Sequence, residues 1–225
     1  MLCIAIIGDM IDSKKIENRE LAQKKLKNIL EEVNIRHQEI ILSNFTITIG
    51  DEFQGLLKIS SSVFQIIDYI KNEFKLSALR FGIGVGEITT AINPRQSIGA
   101  DGPAYWNARK AINYIHDNDD YGTSTIAFES GHSNFDQSIT IQLALTEFIK
   151  SRWVFSQQET FQAILDLNIY QERFDQSVVA KSMNLSDSAF TKRLKSSGIK
   201  LYLRTMNHLA AQLVSFFANE EEKNT

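Results

Sequence analysis

Apolar positions set a readable rhythm from the first residues of the chain. Residues 2–8, LCIAIIG, form an unbroken, β-branched run of strand length, the pattern of a strand buried on both faces, with Asp9 at its carboxyl end. Residues 17–34 carry Leu21, Ala22, Leu26, Ile29, Leu30 and Val33 at helical spacing between lysines and glutamates, which predicts an amphipathic helix. Phe45, Ile47 and Ile49 then alternate with threonines, and the segment EFQGLL after Gly50 and Asp51 is again extended in character. A hairpin with its tip near Gly50 and Asp51 follows. Residues 60–74 read as a second helix, with Val63, Ile66, Ile67, Ile70 and Phe74 on one face and Ser60 as its N-cap. In residues 79–86, Leu79, Phe81, Ile83 and Val85 alternate with Arg80, Gly82, Gly84 and Gly86, a strand with one nearly bare face.

Strand, helix, hairpin, helix, strand is the ferredoxin-like βαββαβ plan, an antiparallel sheet with helices on one face, so the fold class expected here is α+β. In that plan the end of the first strand faces the start of the third, which would bring Asp9 and Asp51 together. Two carboxylates in one place repel unless a cation lies between them, and Mg²⁺ held by one or two carboxylates plus substrate phosphates is the usual solution. Alternation then turns Glu52 away from Asp51, towards solvent or a base. Asp12 reads as a helix cap. The bare face of Gly82, Gly84 and Gly86 admits either a nucleotide lying flat or the close approach of a helix or second subunit.

Residues 103–115 read as a further helix with Pro103 in its first turn, and residues 123–128 as another strand. Turn residues take over between Gly131 and Asp136, and every later segment is helical. The expected division is an α+β domain over 1–135 and an all-α domain over 136–225.

The all-α part holds the strongest local motif, QSVVAKSMNLSDSAFTKRLK at 176–195. Val179, Ala180 and Met183 fit the inner face of one helix, Asn184 suits a left-handed turn, and Leu185, Phe190 and Leu194 face inward from a second helix capped by Ser186. That spacing resembles a helix-turn-helix. Its outward side would carry Asp187, Ser188, Thr191, Lys192 and Lys195, where a recognition helix places groups that reach base edges and phosphates. Residues 156–167 and 201–217 supply helices before and after it.

Charge sharpens this division. Residues 176–218 hold six basic side chains against one acid, Asp187, although the whole chain is at −3. A basic stretch coinciding with the motif points to DNA as a partner. No run approaches the roughly 18 apolar residues of a membrane span, and no basic segment precedes the first apolar run, so a cytoplasmic protein is expected. Cys3 is the single cysteine, inside the first strand, and reads as a small hydrophobe. The histidines His37, His116, His132 and His208 lack metal-ligand spacing and receive no role.

IAIIGDMIDS at 4–13 resembles the first metal segment of class III nucleotidyl cyclases, and ITIGDEF at 47–53 resembles their second. FGIGVGEI at 81–88 looks like their glycine strand, and IGADGPAYWNARKAI at 98–112 like the loop and helix bearing their transition-state asparagine and arginine. The resemblance implies Asp9 and Asp51 as ligands of Mg²⁺ or Mn²⁺, assisted by the Met10 carbonyl, with Gly84 and Arg109 against a nucleotide triphosphate and Asn107, Arg109 and Lys110 as catalytic candidates. It departs from the family where Arg109 follows Asn107 after one residue rather than three, and where Ile47 occupies the purine-selecting position. Such domains build their sites at a dimer interface, which implies a homodimer. The complete layout is similar to the bacterial SatD family.

These observations favour a DNA-binding regulatory protein whose cyclase-like domain binds nucleotide and metal or serves dimerisation. An active metal-dependent purine nucleotidyl cyclase is the first alternative, and a non-catalytic interaction protein the second.

Overall fold

The computed structural model describes residues 1–118 and 122–223. Its elements run β1 (Cys3–Met10), α1 (Arg19–Arg36), β2 (Ile41–Ile47), β3 (Glu52–Lys58), α2 (Val63–Glu73), β4 (Leu79–Gly86), α3 (Pro103–Asn118), β5 (Ile126–Glu129), α4 (Ser133–Ser151), α5 (Phe155–Asp166), α6 (Gln176–Ser182), α7 (Asp187–Ser197) and α8 (Ile199–Lys223). The described residues thus form a mixed α+β structure. Its five-stranded sheet has the order β2-β3-β1-β4-β5, with β1 antiparallel to both neighbours and β5 parallel to β4 at one edge. Among the described residues no helix is long and apolar enough to cross a membrane.

Both faces of the sheet are covered, where the βαββαβ plan led us to expect one. Ile4, Ile6, Phe53, Leu57, Phe81, Ile83 and Val85 pack with the apolar stripes of α1 and α2. On the opposite face Cys3, Ala5, Ile7 and Leu56 meet Ala104, Tyr105, Ala108 and Ile112 of α3. The bare side of β4 makes this possible. A Cβ added at Gly84 would lie 2.1 Å from the Ala108 nitrogen and 2.2 Å from the Ala104 oxygen, so the α3 backbone rests directly on the strand.

Two expected caps shift. The serine run at 60–62 forms a turn of its own, with Ser60 Oγ accepting from the Ser62 nitrogen at 3.2 Å, and α2 starts one residue after Ser62. Asp12 does precede a short 3₁₀ turn, Ser13–Lys15, in a left-handed conformation, but makes no capping bond; its carboxylate pairs with Lys15 at 2.9 Å instead.

The boundary expected between 135 and 136 does not separate two cores. One cluster of buried apolar side chains runs from Ile4 to Phe217. Helix α4 lies on β5, where Thr140 Oγ1 accepts from the Phe128 nitrogen at 3.1 Å and donates to the Phe128 oxygen at 3.2 Å. Further along, Lys150 of α4, Tyr170 and Tyr202 of α8 converge on Asp68 of α2, a carboxylate with no exposed surface. Lys150 Nζ donates to Asp68 Oδ1 at 2.6 Å, Tyr170 to Oδ2 at 2.5 Å, and Tyr202 to both oxygens at 2.8 and 2.7 Å. A second buried pair, Lys71 with Glu147, joins α2 to α4 beside it. Burial would depress the Lys150 ammonium, but Asp68 and then Glu147 outweigh it and hold its pKa above the ordinary lysine value. Burial and the Asp68 charge together keep Tyr170 and Tyr202 as neutral donors.

Two outcomes follow from this packing. Gly84→Ala must push α3 off β4, and chemical denaturation should show a loss of about 1–3 kcal/mol or more; an unchanged midpoint would refute the close contact. Asp68→Ala strands a buried ammonium and two hydroxyls, and should cost on the order of 3–5 kcal/mol, with part of that loss recovered when Lys150→Met is added.

Candidate functional site

Alternation along β1 places Cys3, Ala5 and Ile7 beneath α3, and Asp9 continues that row to the rim of the sheet. Cross-strand partners share a face. The register sets Asp9 opposite Glu52 on one side and Arg80 on the other. Helix α3 meets the same rim through a stripe of residues four apart, Ala104, Ala108, Ile112 and His116.

These groups neutralise one another. Arg80 Nε donates to Asp9 Oδ1 at 2.9 Å, and His116 Nε2 lies 3.2 Å from Asp9 Oδ2. Arg80 Nη1 is also 2.8 Å from His116 Nδ1. A guanidinium can only donate, so in this arrangement the ring accepts at Nδ1 and donates to Asp9 from Nε2. Glu52 takes a two-pronged bond from Arg109, Nη1 to Oε2 at 2.5 Å and Nη2 to Oε1 at 2.8 Å. That bond holds the Glu52 carboxyl below its usual range against the opposing effect of burial, and it raises Arg109.

The sequence-based site is therefore rearranged. Asp51 belongs to the turn before β3, and its successor Glu52, not Asp51, stands across from Asp9. Met10 pairs with Leu79 and its side chain lies in the core. Among the described residues no three His, Cys, Asp or Glu side chains gather as metal ligands would. Asp9 and Glu52 each accept from a guanidinium, so a cation placed between these two carboxylates would meet both arginines.

The catalytic candidates point to three separate partners. Asn107 donates to the Val85 carbonyl at 2.8 Å and fixes α3 on β4, Arg109 holds Glu52, and Lys110 pairs with Glu129 at 2.5 Å. Gly84 meets the α3 backbone, not an open surface on which a nucleotide could lie. The sequence reading gave His116 no role and named Arg80 only in the alternation of its strand. The signal for both was present, since Arg80 sits on the bare row of β4 and His116 completes the four-residue stripe of α3.

A second group of expected residues lies on α7. Helix α6 ends at a turn in which Asn184 is left-handed (φ 54°) and the Leu185 nitrogen donates to the Ala180 oxygen at 2.9 Å. Ser186 then caps α7, accepting from the Ala189 nitrogen at 3.3 Å. Phe190 and Leu194 anchor the inner side of α7. Ser188, Lys192 and Lys195 are exposed on the other side, with Thr191 half-buried between them. Helix α5 braces this unit, its Ser156 carbonyl accepting from Arg193 at 3.3 Å and its Gln157 donating to Ser196 at 3.1 Å. Nearby, Arg204 is held by Glu172 and Lys200 lies over the Phe174 ring. Lys192 and Lys195 instead project outward.

Two solved structures of bacterial light-regulated adenylyl cyclases are similar to this chain. The first is 14% identical, with a TM-score of 0.42 over 56% of this chain and 74% of that one. The second is also 14% identical, with a TM-score of 0.41 over 57% of this chain and 43% of that one. Likeness at this level carries neither activity nor ligand. No curated protein matches. The model of the SatD family matches residues 3–214, through the sheet, the Asp68 junction and the α5–α7 unit alike, and the chain belongs to the SatD family.

Proposed function

We propose that this SatD-family protein is a DNA-binding regulator in which α6 and α7 act as a helix-turn-helix and α7 enters the major groove. The observation that carries this reading is the two-sided character of α7. Phe190 and Leu194 hold one side in the core, while Ser188, Thr191, Lys192 and Lys195 lie on or towards the other. A cap at Ser186 and a left-handed residue at Asn184 set the second helix at a defined angle to the first, as groove recognition requires. In this reading Lys192 and Lys195 meet phosphates, and Ser188 and Thr191, nearer the helix N-terminus, reach base edges.

The sheet then serves as a scaffold for α7 rather than as a catalytic domain. Asp9, Glu52, Arg80 and Arg109 are spent on one another, and α3 covers the glycine row that a nucleotide would need. A two-fold pair of chains would set two α7 helices on successive major-groove faces, about 34 Å apart, and favour a palindromic target.

Fluorescence anisotropy with labelled duplexes over a salt series tests the proposal. Affinity should fall steeply with salt, and Lys192→Ala and Lys195→Ala should each reduce the slope of log K against log salt by about one. Ser188→Ala and Thr191→Ala should alter sequence preference with little change in slope. A parent protein that retains no duplex at low salt, or a Lys192→Ala, Lys195→Ala double variant that binds as well as the parent, would reject the reading.

A further inference from the structure

Helix α4 lies against β5 and α8, and the side it turns outward is not that of an ordinary surface helix. Such a helix sets charged residues opposite its apolar stripe. Here none of the exposed positions of α4 carries a charge. Its charged residues, Asp136, Glu147 and Lys150, are bonded inward, to Ser130, Lys71 and Asp68. Ile141, Leu145 and Phe148, spaced four and three apart, form one outward stripe with 52%, 60% and 44% of their surface exposed. Tyr114 of α3, 40% exposed, lines the same cleft as Ile141 and widens that stripe.

The sheet edge beneath is closed. Thr140 of α4 occupies both the Phe128 nitrogen and the Phe128 oxygen, so a second chain cannot extend the sheet by pairing with β5 at that residue. What this end of the sheet presents is the side of α4. Taking about 150–200 Å² for a large side chain, the exposed fractions of Tyr114, Ile141, Leu145 and Phe148 amount to roughly 300–400 Å² of surface. That is as large as the largest patch a monomer ordinarily shows, and it would supply most of the apolar area of a standard interface of about 800 Å² per partner.

Charge decides the occupant. A helix that lies on a lipid surface flanks its apolar face with lysine and arginine, and the exposed positions of α4 hold neither. A face without charge opposes nothing when it meets its own copy, whereas unlike partners are selected by opposite charges. We propose that the outer side of α4 pairs with α4 of a second copy of this chain about a two-fold axis near Leu145. That axis sets the two helices antiparallel, with Leu145 against Leu145 and Ile141 of each chain against Phe148 of the other, the reciprocal pattern of a self-complementary interface. Antiparallel helix dipoles favour the same arrangement. The inference rests on α4 alone and is independent of DNA binding by α7.

Sedimentation velocity of the full chain without DNA, over about 1–100 μM, tests it. The parent should sediment as a dimer, with the dimer fraction rising with concentration. Leu145→Glu, which sets two carboxylates against each other at the axis, should raise the dissociation constant about thirtyfold or more. Ile141→Lys should act in the same direction, and it decides the matter if circular dichroism shows Leu145→Glu to be misfolded. Leu201→Glu, at a leucine 52% exposed on α8, should leave pairing unchanged. A parent that stays monomeric throughout the range, folded α4 variants that pair as well as the parent, or an equal loss with Leu201→Glu would overturn the proposal.

Discussion

The Asp68 carboxylate is the point on which the two parts of the chain are registered. It accepts from three donors that arrive along separate elements, Lys150 at the end of α4, Tyr170 in the segment before α6, and Tyr202 in α8. Apolar contacts alone could hold the C-terminal helices against α2, but they are non-directional and tolerate rotation. A buried charge with three fixed donors does not, because any shift leaves a donor or acceptor unmet in a low-dielectric setting. Trp153 extends the same logic outward by donating to the Ser197 carbonyl at 2.6 Å, which ties the end of α4 to the end of α7. The exposed face of α7 is thereby oriented, through buried hydrogen bonds, relative to the sheet.

The second constraint is the loss of side chains on β4. Glycine in a strand costs conformational entropy and packing, and three on one face would be a defect if nothing replaced the missing atoms. Here α3 replaces them with its own backbone, and the same approach delivers Arg109 to Glu52 and His116 to Asp9. A sheet face that would admit a nucleotide or a second subunit is closed by an element of the same chain. At the rim, Asp9 and Glu52 are held in ion pairs beside that helix.

What the sequence made legible was whatever depends on neighbours along the chain. Alternation located β4 at Leu79–Gly86, and the turn through Asn184 with the cap at Ser186 could be read because each needs only a few adjacent residues. The errors share a different cause. Asp51 and Glu52 differ by one position, and only the cross-strand register decides which of them shares a face with Asp9. Asp68 was passed over because one stripe of α2 already satisfied the amphipathic pattern, although Phe64 and Asp68 mark a second buried side. Likewise Asp136 falls on the inward row of α4 with Ile139, Thr140 and Leu143, a placement that periodicity shows but whose unmet oxygen it cannot. The continuity of the core across residue 135 is a property of packing between distant elements, and composition carries no trace of it.

Charge in this protein divides according to whether the chain itself answers it. Asp9, Glu52, Asp68 and Glu147 each find a cationic partner within the fold, and the energy of those pairs is spent on holding β1, β3, α2 and α4 in place. Binding a ligand at any of them would first require breaking an ion pair that the surrounding structure enforces. Lys192 and Lys195 on the outer side of α7 are different in kind. The lysines are exposed on the outer side of α7, where a polyanion can reach them. Recognition is therefore better sought on the outer side of α7 than at the rim whose letters first suggested it.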